Sequence, residues 1–215
     1  MTDALYFGPF ILSFDIIIKS LSFVFGIIFL IVTSPFSRKE QTSQVIDFLI
    51  VFFLIIIGSK VLLHIRIFLT DPIAVLAFPS DSKAFYLAFV MMSVYLSMLV
   101  KRNKIDLLSF SDSFVRVLLM TMFVQFFSEI IFTNDFVPIY QLMLSFILLL
   151  FLLLLEKRIP YLFLHANILM IWGFCSAFLH TFSPALLFGF HVDSWYYLMI
   201  GLVGLIILLK TKKKA

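Results

Sequence analysis

A chain of 215 residues that is 63% hydrophobic, carries 29 Phe and has only 13% charged residues is not a soluble domain. Its apolar runs of about 20 residues match the hydrocarbon thickness of a bilayer and recur too often for a single anchor. The net charge of +4 does not point to nucleic acid, because the basic residues gather at the ends of the apolar runs, as membrane topology requires.

The runs predict a single polytopic domain over residues 1–215, an all-α integral membrane protein with about seven transmembrane helices. The spans fall roughly at 9–33, 45–67, 84–100, 112–133, 138–155, 161–182 and 195–209. Helices follow because a segment in hydrocarbon must satisfy its own backbone, and the runs lack the alternation of a barrel strand. Arg38 and Lys39 follow the first span, Lys101, Arg102 and Lys104 the third, Lys157 and Arg158 the fifth, and Lys210, Lys212, Lys213 and Lys214 the seventh. The opposite ends carry Asp3, Asp71, Asp81, Asp135 and Asp193, with Lys83 the one basic residue there. This alternation puts the N-terminus outside and the C-terminus in the cytoplasm. The N-terminus, with Asp3 and no basic stretch, does not read as a cleavable signal peptide.

Within the first span, Asp15 and Lys19 are four apart and can pair on one helix face. Lys60 and His64 repeat that spacing in the second span, which also carries Arg66. Pro72 and Pro79 then bracket the apolar stretch Ile73–Phe78, expected to lie along the outer surface. The fourth span holds Arg116 near its inner end, where it can snorkel, and Glu129 near its outer end, placed to pair with Lys60. Short connections at 134–137 and 156–160 make the fourth, fifth and sixth spans antiparallel neighbours. The sixth span contains His165, His180 and Cys175, the single cysteine, which reads as a small buried apolar residue. Residues 184–192 are expected on the membrane surface, followed by Trp195, Tyr196 and Tyr197 as interfacial aromatics. Gly201 and Gly204, three apart, miss the spacing of close-packed membrane helices, and the abundant Phe predicts broad apolar faces instead.

Counted from the outer ends, Asp15, Lys19, Lys60, His64, Glu129 and His180 fall in the outer half and define a candidate polar cavity. They read either as ion pairs that set helix register or as a site for an anion with a titratable histidine beside it. No nucleotide-binding glycine loop, HExxH, CxxC or GxSxG pattern occurs. His191 with Asp193 is too small a set for a metal, and no cofactor is expected.

Several stretches resemble the prolipoprotein diacylglyceryl transferases, membrane enzymes that move a diacylglyceryl group from phosphatidylglycerol to a lipobox cysteine. These are Phe7-Gly8-Pro9-Phe10, Gly58-Ser59-Lys60 through Leu76, the basic loop from Lys101 to Asp112, Ile139-Tyr140-Gln141, Glu156-Lys157-Arg158 and Trp172. The resemblance implies that family's helical bundle and a bacterial cytoplasmic membrane. It also implies that the reaction is lost. Tyr86 stands at the family's histidine, Phe126 and Glu129 at its signature arginine and asparagine, Gln141 at its glutamate, and Ser176-Ala177 at its Gly-Arg. Phe and Ala cannot hold a phosphate, and a phenol is a poor base for a thiol. The expectation is therefore no catalytic residue and a membrane-embedded subunit or scaffold that binds membrane lipids such as phosphatidylglycerol, a lipoprotein, or a partner membrane protein. The alternatives are a phospholipid or prolipoprotein transferase with an altered site, and a small lipid-binding or transport module.

Overall fold

The computed structural model describes residues 4–7, 10–35, 38–77, 82–133, 137–184 and 186–212. A short antiparallel hairpin, β1 (Ala4–Phe7) and β2 (Phe10–Ser13), pairs Ala4 with Ser13 and Phe7 with Phe10. Everything else regular is helical: α1 (Phe14–Thr33), α2 (Arg38–Leu63), α3 (Ile65–Thr70), α4 (Pro72–Ala77), α5 (Ser82–Lys101), α6 (Leu107–Thr133), α7 (Ile139–Leu155), α8 (Tyr161–Phe182) and α9 (Ser194–Lys212). Among the described residues five helices are long and apolar enough to cross a membrane, within α2, α5, α6, α8 and α9. The apolar parts of α1 and α7 are shorter. The chain is thus a helical, multi-pass membrane protein. The first predicted span is cut back, since residues 10–13 are strand and the helix starts at Phe14.

Local chemistry sets the helix ends. Asp71 accepts from the Ala74 N–H at 3.0 Å and Pro72 opens α4, the usual pairing of a capping acid with proline in the first turn. Asp106 caps α6 through the N–H of Ser109 at 3.1 Å. Pro138 and Pro160 directly precede α7 and α8, where a missing N–H costs nothing. Asn103, at φ 50, ends α5, and the Lys104 N–H returns to the Leu99 carbonyl at 3.1 Å.

Helix α6 is the hub, packed against α1, α2, α7 and α8. Its Val115, Leu119, Met122 and Phe126 meet Leu148 and Leu152 of α7, Leu164, Ile168 and Trp172 of α8, and Tyr196 and Tyr197 of α9 in one core. Tyr196 and Tyr197 are therefore core residues, while Trp195 stays half in the open. The cause is a tier of aromatic rings: Tyr196 meets Phe85 edge-on at 5.5 Å and Phe89 at 5.1 Å. As the short connections predict, α6 neighbours α7 and α7 neighbours α8.

The glycines contradict the expectation from spacing. A Cβ on Gly173 would lie 2.5 Å from the Gly201 Cα and 2.7 Å from the Tyr197 carbonyl oxygen. One on Gly204 would lie 2.6 Å from Met170 N and 2.9 Å from the Ala166 carbonyl oxygen. Helices α8 and α9 thus touch backbone to backbone, because Gly173 faces Gly201 and Gly204 faces Ala166 and Met170 across the pair, which needs no four-residue spacing within one helix.

Residues 186–192 do not lie along the surface. Leu187 and Phe190 exchange hydrogen bonds of 3.1 and 2.9 Å around a two-residue turn, with Phe188 at φ 51 and Gly189 at φ 87. Positive φ at both central positions marks the primed turns of tight hairpins. Leu187 and Val192 are buried in the core, Phe188 stacks on Phe23 of α1 at 5.3 Å, and Phe190 lies 4.8 Å from Phe85 of α5. The loop is a plug between helices, because four apolar side chains gain more there than on a surface. The Lys19 ammonium lies against Gly189, with no room for a Cβ. Gly189→Ala is expected to cost about 1 kcal/mol in left-handed strain alone, plus displacement of Lys19. A lowered melting temperature in detergent, with helix content intact, is the readout.

Candidate functional site

The polar groups gather at the two ends of the bundle. The end that carries the Lys101–Lys104 loop is here termed the basic end, and the end with Asp71 and Asp193 the acidic end.

At the basic end a buried network joins five helices. Arg116, 0% exposed, is the largest fully buried side chain among the described residues. Its Nε donates to both oxygens of Asp112, one turn earlier on α6, at 3.0 and 2.9 Å. Nη2 donates to Glu156 Oε2 at the end of α7 at 2.6 Å, and Nη1 to Thr33 Oγ1 at the end of α1 at 3.1 Å. Asp112 is also fully buried and meets His165 Nε2 of α8 at 3.2 Å. The other ring nitrogen of His165 lies 3.0 Å from Ser111 Oγ. Ser34 donates to Gln41 of α2 at 2.6 Å, and Gln41 donates to Ser109 Oγ at 2.9 Å.

Arg116 therefore does not snorkel. It is drawn inward by two carboxylates that can be held together in a low-dielectric site only by a guanidinium with several donors. The i,i+4 spacing of Asp112 and Arg116 was a signal in the sequence. Glu156 gave none, because beside Lys157 and Arg158 it reads as a surface charge. His165 is held inside this network by Asp112 on one ring nitrogen and Ser111 on the other. With its charge matched by two carboxylates and its side chain fully buried, Arg116 presents no guanidinium at the surface for an incoming phosphate.

At the acidic end the predicted cavity residues come from α1, the last turn of α2 and its break to α3, α6 and α8. Asp15 falls in α1, with its side chain outside the described residues, so its pairing with Lys19 lies outside them too. Lys19 sits under the plug at Gly189. Lys60 ends α2, and His64 is the break between α2 and α3 at φ −117 and ψ 33. Glu129 accepts from Gln125 Nε2 of its own helix at 2.8 Å. His180 packs against Tyr197 with ring centroids 5.7 Å apart, and its Nδ1 is buried without a hydrogen-bond partner among the described residues.

The positions that the resemblance empties of chemistry are filled by packing. Phe126 and Ala177, each 4% exposed, belong to the core. Gln141 accepts from Ser176 Oγ at 3.2 Å. Tyr86 donates its hydroxyl to Asp193 Oδ2 at 2.9 Å and accepts from the Asp193 N–H at 2.8 Å. Its ring lies 4.7 Å from Trp195, whose Nε1 reaches the same carboxylate at 3.2 Å. Ser82 donates to the His191 carbonyl at 2.5 Å, and Ser183 donates to the Val137 carbonyl. These contacts are the feet of the plug. Tyr86→Phe removes two of them and is expected to speed amide exchange over residues 186–193 roughly three- to tenfold, leaving α8 unchanged.

An open groove of about 390 Å³ lies between α7 and α8 at the acidic end, lined by Tyr140, Met143, Ile147, Phe174, Cys175 and Phe178 among others. Cys175 is thus half-buried at a groove wall and not sealed in the core. None of Tyr86, Phe126, Glu129, Gln141 or Ala177 lines this groove. Among the described residues no group of His, Cys, Asp and Glu is placed to hold a metal ion. The chain matches no protein-family model, no curated protein and no solved structure.

Proposed function

We propose that this chain is a non-catalytic relative of the prolipoprotein diacylglyceryl transferases, a membrane-embedded subunit that binds lipid, lipoprotein or the helices of a partner protein in a bacterial cytoplasmic membrane. All seven long helices cross the bilayer in this reading, with the N-terminus outside. The 20 residues of α1 and 17 of α7 reach the lower limit of about 17 residues for a span. The basic end then faces the cytoplasm, because Lys101, Arg102, Lys104, Lys157 and Arg158 all lie there.

The observation that carries the reading is the filling of the site. A transferase of this kind needs a base and an anion-holding guanidinium facing a cleft. Here Phe126 and Ala177 are core, the Tyr86 phenol is committed to Asp193, and the buried Arg116 is paired with Asp112 and Glu156 at the opposite end. The test pairs two measurements on the full chain extracted gently from native membranes. No diacylglyceryl transfer from phosphatidylglycerol to a lipobox peptide is expected, together with a stoichiometric co-purifying protein that Gln141→Ala does not release. Turnover that Tyr86→Phe abolishes would overturn the proposal.

A further inference from the structure

The buried network at the basic end holds two carboxylates against one guanidinium. Arg116 meets Asp112, 0% exposed, and Glu156, 16% exposed. Both Asp112 oxygens accept from Arg116 Nε, the pattern of an ionised carboxyl, which has no proton to offer a third partner. His165, 2% exposed, stands beside it on α8. Its Nε2 lies 3.2 Å from Asp112 Oδ1, a contact that binds only if this nitrogen carries a proton. Its Nδ1 lies 3.0 Å from Ser111 Oγ. The one hydroxyl proton of Ser111 goes to the Leu108 carbonyl at 2.9 Å, so Oγ is left to accept from the ring. Both ring nitrogens therefore face oxygen acceptors, and a neutral imidazole has a proton for only one of them.

We infer that His165 is an imidazolium, a second buried cation that closes the charge of the network and works as a proton-operated lock between α8 and α6. The groups around the ring fit this assignment. From α6 come Asp112 and Arg116, and from the end of α7 comes Glu156 on the far side of Arg116. Tyr161, one turn earlier on α8, places its ring 6.2 Å away. Of the described side chains of α9 only Lys210 is charged, and it is exposed. Loss of either ring proton would set a nitrogen lone pair against an oxygen lone pair and leave a buried negative charge without its match. The first two turns of α8, residues 161–168, would then lose their polar tie to α6. The inference does not rest on the proposed function, and its failure leaves the subunit role untouched.

Nitrogen NMR of the full chain in lipid micelles at neutral pH, with the histidine rings labelled, counts the protons directly. The chain has 4 His. His165→Gln assigns the signal by its loss, and the combined change of His64, His180 and His191 to Gln leaves His165 as the only ring if that variant does not fold. Two protonated nitrogens are expected on His165, and Asp112→Asn, which removes the facing charge, should leave it with one. A His165 ring with a single proton in the unaltered chain would overturn the inference, as would a ring that keeps both protons in a folded Asp112→Asn. Amide exchange tests the lock itself. In His165→Gln it should rise about tenfold over residues 161–168, the effect of losing one hydrogen bond to a charged group, with the middle of α7 unchanged. Exchange equal to that of the unaltered chain would overturn the lock.

Discussion

Arg116→Leu is expected to destabilise the detergent-solubilised protein by about 3–5 kcal/mol, the cost of leaving buried charge without its partner. Asp112, fully buried, would keep only His165 and Ser34 near it, and Glu156, 16% exposed, would lose its 2.6 Å contact. Helix–helix contacts would suffer beyond the local loss, since the guanidinium ties α1, α6 and the end of α7 together. Arg116→Lys should recover little, because an ammonium cannot span three partners placed around a planar fork. The informative comparison is Arg116→Met with Asp112→Asn and Glu156→Gln. Removing charge on both sides should restore most of the stability, as replacement of whole buried ion pairs does elsewhere. Reversible unfolding in mixed micelles measures all three. A loss below about 1 kcal/mol for Arg116→Leu would show that the network is solvated and the buried geometry wrong.

Gly173→Leu should have an effect of similar size through a different cause. The close approach of α8 and α9 leaves no space even for a methyl group, and the atoms in the way are Gly201 backbone and the Tyr197 carbonyl, which cannot rotate aside as a side chain can. Overpacking in a well-filled core costs about 1–3 kcal/mol, and a clash with backbone belongs at or above the top of that range. Separation of the two helices would also pull Trp172 from Tyr197, whose rings meet edge-on at 5.6 Å. Gly58 is the internal control: nothing lies within 4 Å of a Cβ placed there, so Gly58→Ala should be neutral or mildly stabilising. Thermal unfolding of both variants, with quenching of Trp172 fluorescence as a second readout, tests the contrast. Equal behaviour of the two glycines would remove the case for backbone contact between α8 and α9.

The helices themselves were legible because hydropathy and length are local properties that add along the chain. Residues 161–182 were predicted as a span and α8 occupies those residues; α7 and α9 match to within a few residues. Antiparallel packing of α6, α7 and α8 followed equally from connections too short to do otherwise. What the sequence could not rank was which side of each helix faces its neighbours. A helix that is apolar all round has no pattern that separates lipid from protein, since hydrocarbon and leucine are alike to it. Contacts between remote segments decided those faces. Arg116 is interior because Glu156, forty residues away, and Thr33, eighty-three residues away, arrive at the same point. Residues 186–192 plug the bundle because Phe23 and Phe85 wait on different helices, and Gly173 matters because Gly201 crosses it. The candidate polar cavity depends on the same faces. Similar depth in the membrane brought Lys19, Lys60, His64, Glu129 and His180 to one level, but only rotation of each helix, set by tertiary packing, determines whether side chains at one level meet.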